Sequence, residues 1–367
     1  MKISPIELTL IAYKISQRFE KVNTMYLTLM AKRVKEVGEF SPTDLHRLEM
    51  MAKMGNDIDA INSELSKQTG LALQDIYKLY EKSGEQIYKD VAYLYAYKKL
   101  KQPAFSKNVA IQNYINSVKS LTRNTFLNMA RTTVIRQSYR DVIDLAIDTV
   151  ATGMDDYRSV MRRMLIDKAQ NGMKVEYSSG YKRRLDSACR MNILEGVRQI
   201  NAGVRKEAGI QYGANGVEID AHGLCAEDHL PYQGKQYSID KYNKINNSLK
   251  RQFGTCNCQH NISYIILGVS PPTYDKQELE DMKAYSNEKI KIGNKEVTRY
   301  QASQLMRQTE TKMRYKKDEI ITLETAGISA SKERQQLRDL QSVYRNISSS
   351  ANLQKRYDRA YVTGFKK

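Results

Sequence analysis

Apolar residues recur every three or four positions over most of the first 150 residues, which is the spacing of one buried helix face. The first clear run ends at Gly38, a residue type that readily takes the left-handed conformation in which helices often terminate. The apolar positions of this run are Val22, Tyr26, Met30, Val34 and Val37. The pattern therefore predicts a long amphipathic helix that ends at Gly38.

A second helix start is marked shortly after the first helix ends. Ser41 suits the N-cap, Pro42 suits the first helical position, and Asp44 lies where a carboxylate can complete a capping box. The apolar face of this second helix is formed by Leu45, Leu48 and Met51. We expect the helix to end at Gly55.

Two further amphipathic stretches complete the N-terminal region. They cover Ile58–Thr69 and Leu73–Tyr97, and Pro103 then interrupts the pattern because proline cannot donate a backbone hydrogen bond. Residues 1–117 are therefore predicted to form helical arms or a helical bundle.

Residues 118–274 mix helical and strand patterns. The helical stretches are Val118–Gly153, Asp155–Asn171 (closed by Gly172) and Asp186–Glu207. Short runs with strand-like alternation or β-branching cover Lys174–Tyr177, Gly216–Asp220 and Ser263–Leu267. This combination predicts a central α+β domain in which helices cover a small sheet.

Residues 275–367 are polar and helical in pattern, with 20 Lys or Arg against 13 Asp or Glu. Because apolar positions are sparse, we expect this region to extend from the core instead of building one. An ordinary solvated helical hairpin is the alternative. The predicted fold class is α+β and predominantly α-helical, with helical N-terminal arms, a central domain with a small sheet, and a polar helical C-terminal extension.

The charge balance favours a polyanionic partner. Lys and Arg number 59 against 41 Asp and Glu, which gives a formal net charge of +18. Candidate contacts to the phosphates of double-stranded DNA are Arg162, Arg163, Lys182, Arg183, Arg184, Lys316 and Lys317. Such contacts neutralise charge without reading bases. The alternative is that these residues form solvated faces that only keep the protein soluble.

Membrane insertion and secretion are not expected. No run of about 18 apolar residues occurs, which is the length that a membrane-spanning helix needs. Glu7 and Lys14 interrupt the apolar N-terminal stretch where a signal peptide would have its core.

Cysteine and histidine cluster in one short segment. Its members are His222, Cys225, His229, Cys256, Cys258 and His260. Zinc favours four nitrogen or sulfur ligands supplied as two close pairs. A helical backbone would place Cys225 and His229 on one face, and an extended backbone would point Cys258 and His260 to one side. In a straight strand Cys256 would lie about 13 Å from His260, so at most two of the last three residues can bind one ion.

Two other interpretations of this segment stay open. The cysteines can pack as small apolar groups while the histidines form hydrogen bonds. The pair His260-Asn261 also resembles residue types of metal-dependent nucleases, in which a metal-bound water attacks phosphate. No paired carboxylates and no glycine-rich phosphate loop accompany it, so we expect no enzyme and keep a nuclease as the alternative. A Cys256–Cys258 disulfide would be strained at this spacing.

The order of several short motifs resembles the phage minor capsid protein 2 family, within the wider group of Mu-F-like head morphogenesis proteins. The N-terminal motifs are Phe19-Glu20, Ala31–Val34, Glu36–Gly38, Leu48 and Ser66–Gly70. The central motifs are Leu121–Thr125, Tyr177–Gly180, Cys189–Met191, Ala221–Gly223, His229, Gln233–Lys235, Asn257–His260 and Gly268–Tyr274. Two positions depart from the family: Cys256 stands where an aromatic residue is usual, and Cys225 lies in a loop that usually contains Arg and Pro.

The resemblance implies a structural head protein of a tailed phage. It would be present in few copies inside the capsid at or near the portal vertex, and in the host cytoplasm during assembly. It would assist head assembly, DNA packaging or ejection. Residues 1–117 would dock on the portal protein, the major capsid protein or other head proteins. The helical, polar region after Tyr274 does not resemble the enzyme domains that some relatives carry.

The resemblance also bears on the metal ligands. In the wider group, a cysteine pair and a Cys-x-Cys motif occupy the places that correspond to Cys225 with His229 and to Cys258 with His260. That correspondence favours these four residues as a closed structural zinc site. His222 is the substitute for Cys225, and Cys256 is a further alternative ligand.

Overall fold

The fold is described from a computed structural model, which covers residues 5–39, 44–133, 136–152, 157–177, 180–254 and 258–366. The helices are α1 (Pro5–Gly38), α2 (Asp44–Asp90), α3 (Ala92–Tyr97), α4 (Val109–Thr132), α5 (Arg136–Thr152), α6 (Tyr157–Asn171), α7 (Leu185–Tyr212), α8 (Ile239–Ser248), α9 (Lys276–Asn287), α10 (Arg299–Thr325) and α11 (Ser331–Ser350). Short 3₁₀ helices cover Phe105–Lys107 and Tyr357–Ala360.

The strands are short and form three antiparallel sheets among the described residues. They are β1 (Lys174–Glu176), β2 (Lys182–Arg184), β3 (Gly216–Ile219), β4 (Gln236–Ser238), β5 (Ile262–Ile265), β6 (Lys289–Ile292) and β7 (Lys295–Thr298). β1 pairs with β2, β6 pairs with β7, and the order of the third sheet is β4-β3-β5. The predicted predominantly helical α+β class is confirmed.

The chain divides into two compact units, and neither is one continuous stretch. Unit 1 comprises residues 1–12, 74–124 and 191–305. Unit 2 comprises residues 13–73, 125–190 and 306–367. These units follow contacts and not chain order. The sequence predicts a division by functional role into the regions 1–117, 118–274 and 275–367. That division stays a prediction.

Within unit 1, helices pack closely where glycine lets a side chain reach the helix backbone. A Cβ atom at Gly196 of α7 would lie 1.6 Å from the Tyr80 hydroxyl, which hydrogen-bonds Thr122 of α4 at 2.9 Å. Gly84 of α2 similarly faces Ile115 and Ile200. These contacts hold α2, α4 and α7 together around a core that contains buried tyrosine as well as aliphatic residues.

Within unit 2, buried polar groups are matched in charge. Asp57 of α2 accepts hydrogen bonds from Arg33 of α1 at 2.8 Å and from the Tyr139 hydroxyl of α5 at 2.7 Å. A second network joins Arg184 and Asp186 to Arg314 and Asp318 of α10, with all four side chains buried. Each charge of these two networks therefore faces an opposite charge.

Several predicted boundaries are confirmed and others are wrong. α1 ends at Gly38, and α6 ends at Asn171, before Gly172 at a positive φ of 49°. The predicted break at Gly55 is wrong, because α2 runs without interruption from Asp44 to Asp90. A Cβ atom at Gly55 would meet nothing within 4 Å, so the glycine is simply tolerated inside the helix.

The helix boundaries near residues 41 and 133 also bear on the predictions. The single helix predicted over Val118–Gly153 is instead α4 and α5. Ser41 and Pro42, the expected cap and first helical residue, lie outside the described residues.

The expectation that the C-terminal region lies outside the core is wrong. α10 and α11 bury apolar side chains within unit 2, including Met313, Ile320, Leu323, Leu337 and Ile347. Sparse apolar positions suffice because buried polar groups such as Glu310 and Tyr344 hydrogen-bond each other. None of the described helices is both long enough and apolar enough to cross a membrane.

Candidate metal centre

The β3–β5 pairing in unit 1 brings the two ends of the Cys/His segment together. Ile219 of β3 lies opposite Ile262 of β5. Asp220 then accepts hydrogen bonds from the backbone and side-chain nitrogens of Asn261, at 2.7 and 2.8 Å. His222 follows this junction and His260 precedes it, so antiparallel pairing places their rings 4.5 Å apart.

Apolar packing supports the site from the sheet side. Val217, Ile219, Tyr237, Phe253 and Ile262 form a buried cluster. The Phe253 ring lies 4.3 Å from the His229 ring and 5.2 Å from the His260 ring, measured between centroids. The imidazoles are thus held between the sheet core and the turns that cover residues 223–234.

Two overlapping triads of ligand atoms meet at His260. One contains His229, Cys258 and His260, and the other contains His222, Cys225 and His260. The ligand atoms within each triad lie within 4.8 Å of one another. The Cys258 sulfur lies 3.3 Å from Nδ1 of His260, whereas the Cys225 sulfur lies 3.5 Å from Nε2 of the same ring. The two sulfurs therefore face opposite edges of one imidazole.

Hydrogen bonding decides which edge of His260 carries a free lone pair. The backbone N–H of His222 can only donate, so the Gln233 atom 3.2 Å away is the side-chain oxygen. That same oxygen lies 3.0 Å from Nε2 of His260. Nε2 must therefore carry the proton and donate it, which leaves the lone pair of Nδ1 directed at Cys258.

His229 is oriented in the same way. Its Nε2 lies 2.7 Å from the backbone carbonyl oxygen of Arg251, which can only accept a hydrogen bond. Nδ1 of His229 therefore presents its lone pair, 3.7 Å from the Cys258 sulfur. A ring N–H donated to a carbonyl while the other nitrogen binds metal is the usual arrangement of metal-binding histidines.

The second triad is less complete. Cys225 donates its thiol proton to the Ala226 carbonyl at 3.3 Å, and Nε2 of His260 is already engaged by Gln233. Nδ1 of His222 lies 2.9 Å from the Gly223 carbonyl, and its buried Nε2 has no hydrogen-bond partner among the described residues. His222 and Cys225 thus offer ligand atoms at the other edge of His260, and their role as metal ligands stays a prediction.

Burial sets the protonation of the free groups. Desolvation lowers the pKa of His260 to about 3, with the neighbouring histidines adding to the effect, so the ring is neutral near pH 7. Burial raises the pKa of the Cys225 thiol to about 12 and also raises that of Cys258. A neutral buried imidazole is the form that binds zinc.

The structure brings together part of the predicted zinc site. His229, Cys258 and His260 converge on one point, whereas Cys225 faces the other edge of His260. The helix expected to align Cys225 with His229 is absent from the described residues, because this stretch forms turns. Cys256, the other alternative ligand, lies outside the described residues.

Gln233 and the Arg251 carbonyl are functional groups that the Cys/His pattern alone does not reveal. Gln233 is buried and holds both His222 and His260. In the sequence, Gln233 stands out only as part of the Gln233–Lys235 motif. The carbonyl of Arg251 carries no signal in the sequence, because every residue has one.

The predicted phosphate contacts lie in unit 2, and one of them is corrected by the structure. The Arg184 guanidinium is 2% exposed and pairs with Asp186 at 3.2 Å and Asp318 at 2.6 Å. A side chain buried in this way cannot reach a DNA phosphate. Its role is to balance the two buried carboxylates.

Three more of these residues have partners within unit 2. Arg162 pairs with Glu333 at 2.5 Å, Lys316 pairs with Glu319 at 2.5 Å, and Lys317 donates to the Ala360 carbonyl. The remaining candidates are Arg163, Lys182 and Arg183; Arg163 is exposed, Lys182 pairs with Glu176 at the surface, and Arg183 lies over the Tyr181 ring. Contact between these residues and DNA stays a prediction.

Comparison with known proteins places the chain in a family. The sequence profile of phage minor capsid protein 2 matches residues 3–347. No curated protein and no solved structure matches the chain. The matched range includes the whole Cys/His segment and all but the last part of the C-terminal region. The chain therefore belongs to the phage minor capsid protein 2 family.

Proposed function

We propose that this phage minor capsid protein is a structural component located at or near the portal vertex. There it assists head assembly, DNA packaging or ejection, with the portal protein and other head proteins as its first partners and double-stranded DNA as its second. The family match over residues 3–347 carries this proposal. The basic charge of +18 supports a role next to packaged DNA.

Cross-linking of purified virions tests the location. Chemical cross-links identified by mass spectrometry are expected between this protein and the portal protein. Cross-links only to major capsid subunits distributed over the shell would contradict the portal location while leaving the protein a head component.

The Cys/His centre is proposed to hold one structural zinc ion. His229, Cys258 and His260 would bind it, because their two Nδ1 lone pairs and one sulfur converge. Zinc would supply a cation that ties the turns at residues 223–234 to the start of β5. His229 and His260 are 3% and 2% exposed, which restricts the access of a substrate, and the fourth position of a tetrahedral zinc ion would be left to a ligand outside this triad.

Elemental mass spectrometry of protein purified without chelator tests the zinc. A single zinc ion per chain is expected in the wild type, and loss is expected in Cys258→Ser and His229→Ala. Cys225→Ser is the matched control, since it removes a buried thiol from the other edge of His260 and should keep the metal. A well-folded wild type without metal would refute the proposal.

A nuclease assay separates this structural role from catalysis. The purified protein is incubated with plasmid DNA and added magnesium, manganese or zinc, beside His260→Ala. We expect no cleavage by either protein. Cleavage that is lost in His260→Ala would assign the centre to a metal-dependent nuclease instead.

A further inference from the structure

The positive charge of this chain is concentrated in one segment. Residues 91–140 contain nine Lys or Arg and no Asp or Glu, so 50 residues hold half of the net charge of +18. None of the seven phosphate contacts suggested by adjacent basic residues falls in this segment. In unit 1 its basic residues are Lys98, Lys99, Lys101, Lys107, Lys119 and Arg123.

Four of these lysines lie on one turn between α3 and α4, residues 98–107, here called the lysine turn. Lys98, Lys99, Lys101 and Lys107 are all exposed. No ion pair to any of them is found in the part of unit 1 that the structure describes. Lys119, in contrast, pairs with Glu81 of α2. The lysine turn therefore presents unneutralised charge.

The backbone holds the lysine turn in a defined shape. Leu100 N–H bonds the Tyr95 carbonyl at 2.9 Å, and Lys99 N–H bonds the Ala96 carbonyl at 3.0 Å, which together terminate α3. Lys99 has a φ of 55°, the left-handed region where helix ends usually place glycine. A lysine at a position that favours glycine points to a use for its side chain.

Buried hydrogen bonds hold the backbone of the lysine turn against α2 and α7. The Tyr88 hydroxyl donates to the Pro103 carbonyl at 3.0 Å, and Gln102 donates to the Tyr88 carbonyl at 2.8 Å. Asn108, at the end of the turn, donates to Tyr88 and to Gln211 of α7, each at 2.9 Å. The lysines are therefore attached to a backbone that is ordered before binding, which reduces the entropy lost when a ligand is bound.

We propose that the lysine turn is a binding surface for duplex DNA, which it holds by its phosphate backbone. The outer face of α4 continues the surface with exposed Asn113, Asn116, Ser120 and Arg123, which can donate hydrogen bonds to phosphate oxygens. The part of the segment that lies in unit 1, residues 91–124, contains no acidic residue, which suits a polyanion along its length. An acidic patch on a protein partner would pair with only a few of these basic residues.

This inference rests on the proposed function for the choice of DNA, since a head protein is exposed to packaged duplex. It predicts binding without sequence preference and with steep salt dependence. Exposed Tyr93 and Tyr97 flank the lysines. They offer additional contacts but read no base pattern.

Fluorescence anisotropy with a labelled 30-base-pair duplex over a range of salt concentrations tests the proposal. The variant changes Lys98, Lys99, Lys101 and Lys107 to Gln. The plot of log affinity against log salt should become shallower by about 0.9 for each phosphate that is no longer neutralised, about 3–4 in all, with affinity at least about tenfold lower at low salt. The matched control changes four exposed lysines elsewhere in unit 1 to Gln, Lys244, Lys250, Lys283 and Lys295, and should change the slope much less.

A single substitution separates binding from folding. Lys99→Gly removes one charge and places the favoured residue at the left-handed position. Its melting temperature should equal or exceed that of the wild type while its DNA affinity falls. Equal salt slopes in the wild type and the quadruple variant would overturn the proposal.

Two other outcomes also overturn it, and neither depends on the portal location. If the wild type binds no duplex, DNA is not a partner of this surface, whereas virion cross-links to the portal would still stand. If the wild type binds polyglutamate of equal charge more tightly than duplex, and the quadruple variant loses that binding, the surface belongs to an acidic protein.

Discussion

Two buried polar clusters, one in each unit, differ in what they need. The unit 2 cluster contains two guanidinium groups and two carboxylates joined at 2.5–3.2 Å, so its charges balance within the chain. The unit 1 cluster contains thiols and imidazoles separated by 3.3–3.7 Å, with two nitrogen lone pairs aimed at one sulfur. The single thiol proton of Cys258 can be donated to only one of these two lone pairs, so the other is left without a donor.

The difference shows how buried polar groups indicate a ligand. Burial of a polar group is unfavourable unless a partner compensates it. Arg184, Asp186, Arg314 and Asp318 compensate one another in charge, because each guanidinium pairs with a carboxylate of the cluster. The centre at Cys258 leaves a nitrogen lone pair without a donor, and a metal cation would bind that nitrogen together with the cysteine sulfur.

The largest effect is expected from breaking the unit 2 cluster. Asp318→Ala leaves Arg184 buried with one carboxylate partner fewer, and we expect a loss of about 3–5 kcal/mol in the free energy of unfolding. Urea unfolding measures it. Asp141→Ala, which removes an exposed carboxylate of α5, is the control and should change stability by less than about 0.5 kcal/mol. Equal effects of the two changes would contradict the role assigned to the cluster.

The pH dependence that Asp186 contributes to stability has a definite sign. Arg184 and Arg314 hold the pKa of Asp186 below its usual value despite burial. A lowered pKa in the folded state contributes stability that is fully present above the unfolded pKa and is lost as pH falls from there through the folded value. The stability difference between wild type and Asp186→Asn should therefore be constant from pH 7 to pH 5 and shrink below about pH 4. A difference that already shrinks between pH 7 and pH 5 would show that Asp186 titrates normally.

Metal removal should affect only the unit 1 cluster. At free zinc about a hundredfold above its dissociation constant, binding stabilises the fold by about 2.7 kcal/mol, which a chelator would remove. Differential scanning calorimetry with and without chelator is expected to show this loss in the wild type and in Cys225→Ser. Cys258→Ser should be insensitive to chelator. A chelator effect that Cys225→Ser abolishes would assign Cys225 as a ligand.

A smaller effect is expected from the group that orients His260. Gln233→Leu keeps approximate size but removes the acceptor that fixes the proton on Nε2. Loss of such an orienting partner typically weakens metal binding about 10–100-fold. Competition with a chromophoric zinc chelator measures the change. Unchanged affinity would show that the tautomer of His260 is set by something else.

Two glycine-to-alanine substitutions compare the stability effect of an added methyl group at a crowded position and at an open one. Gly196→Ala places a Cβ 1.6 Å from the Tyr80 hydroxyl and should destabilise the protein by about 1 kcal/mol or more. Gly55→Ala adds a Cβ that meets nothing within 4 Å inside α2, and should stabilise by about 0.5–1 kcal/mol. Thermal denaturation compares them. The same sign in both would contradict the packing described for α7.

Local patterns in the sequence predicted much of the secondary structure. The strand-like runs at residues 174–177, 216–220 and 263–267 correspond to β1, β3 and β5, and the end of α1 at Gly38 is correct. β2 carries only Lys182, Arg183 and Arg184 and shows no apolar alternation. β6, in contrast, has the alternation Lys-Ile-Lys-Ile and carried a usable signal.

The sequence by itself determined the family, the helical character and the residue types of the candidate zinc site. Only the tertiary structure decided which nitrogen of His260 faces Cys258, that Cys225 lies on the opposite edge, and that Arg184 is buried between two carboxylates. The physical reason is the separation along the chain between the residues that determine each property. Periodicity and caps depend on neighbours within a few residues, whereas lone-pair direction and burial depend on groups distant in sequence, such as Gln233 or Asp318, that only folding brings into contact.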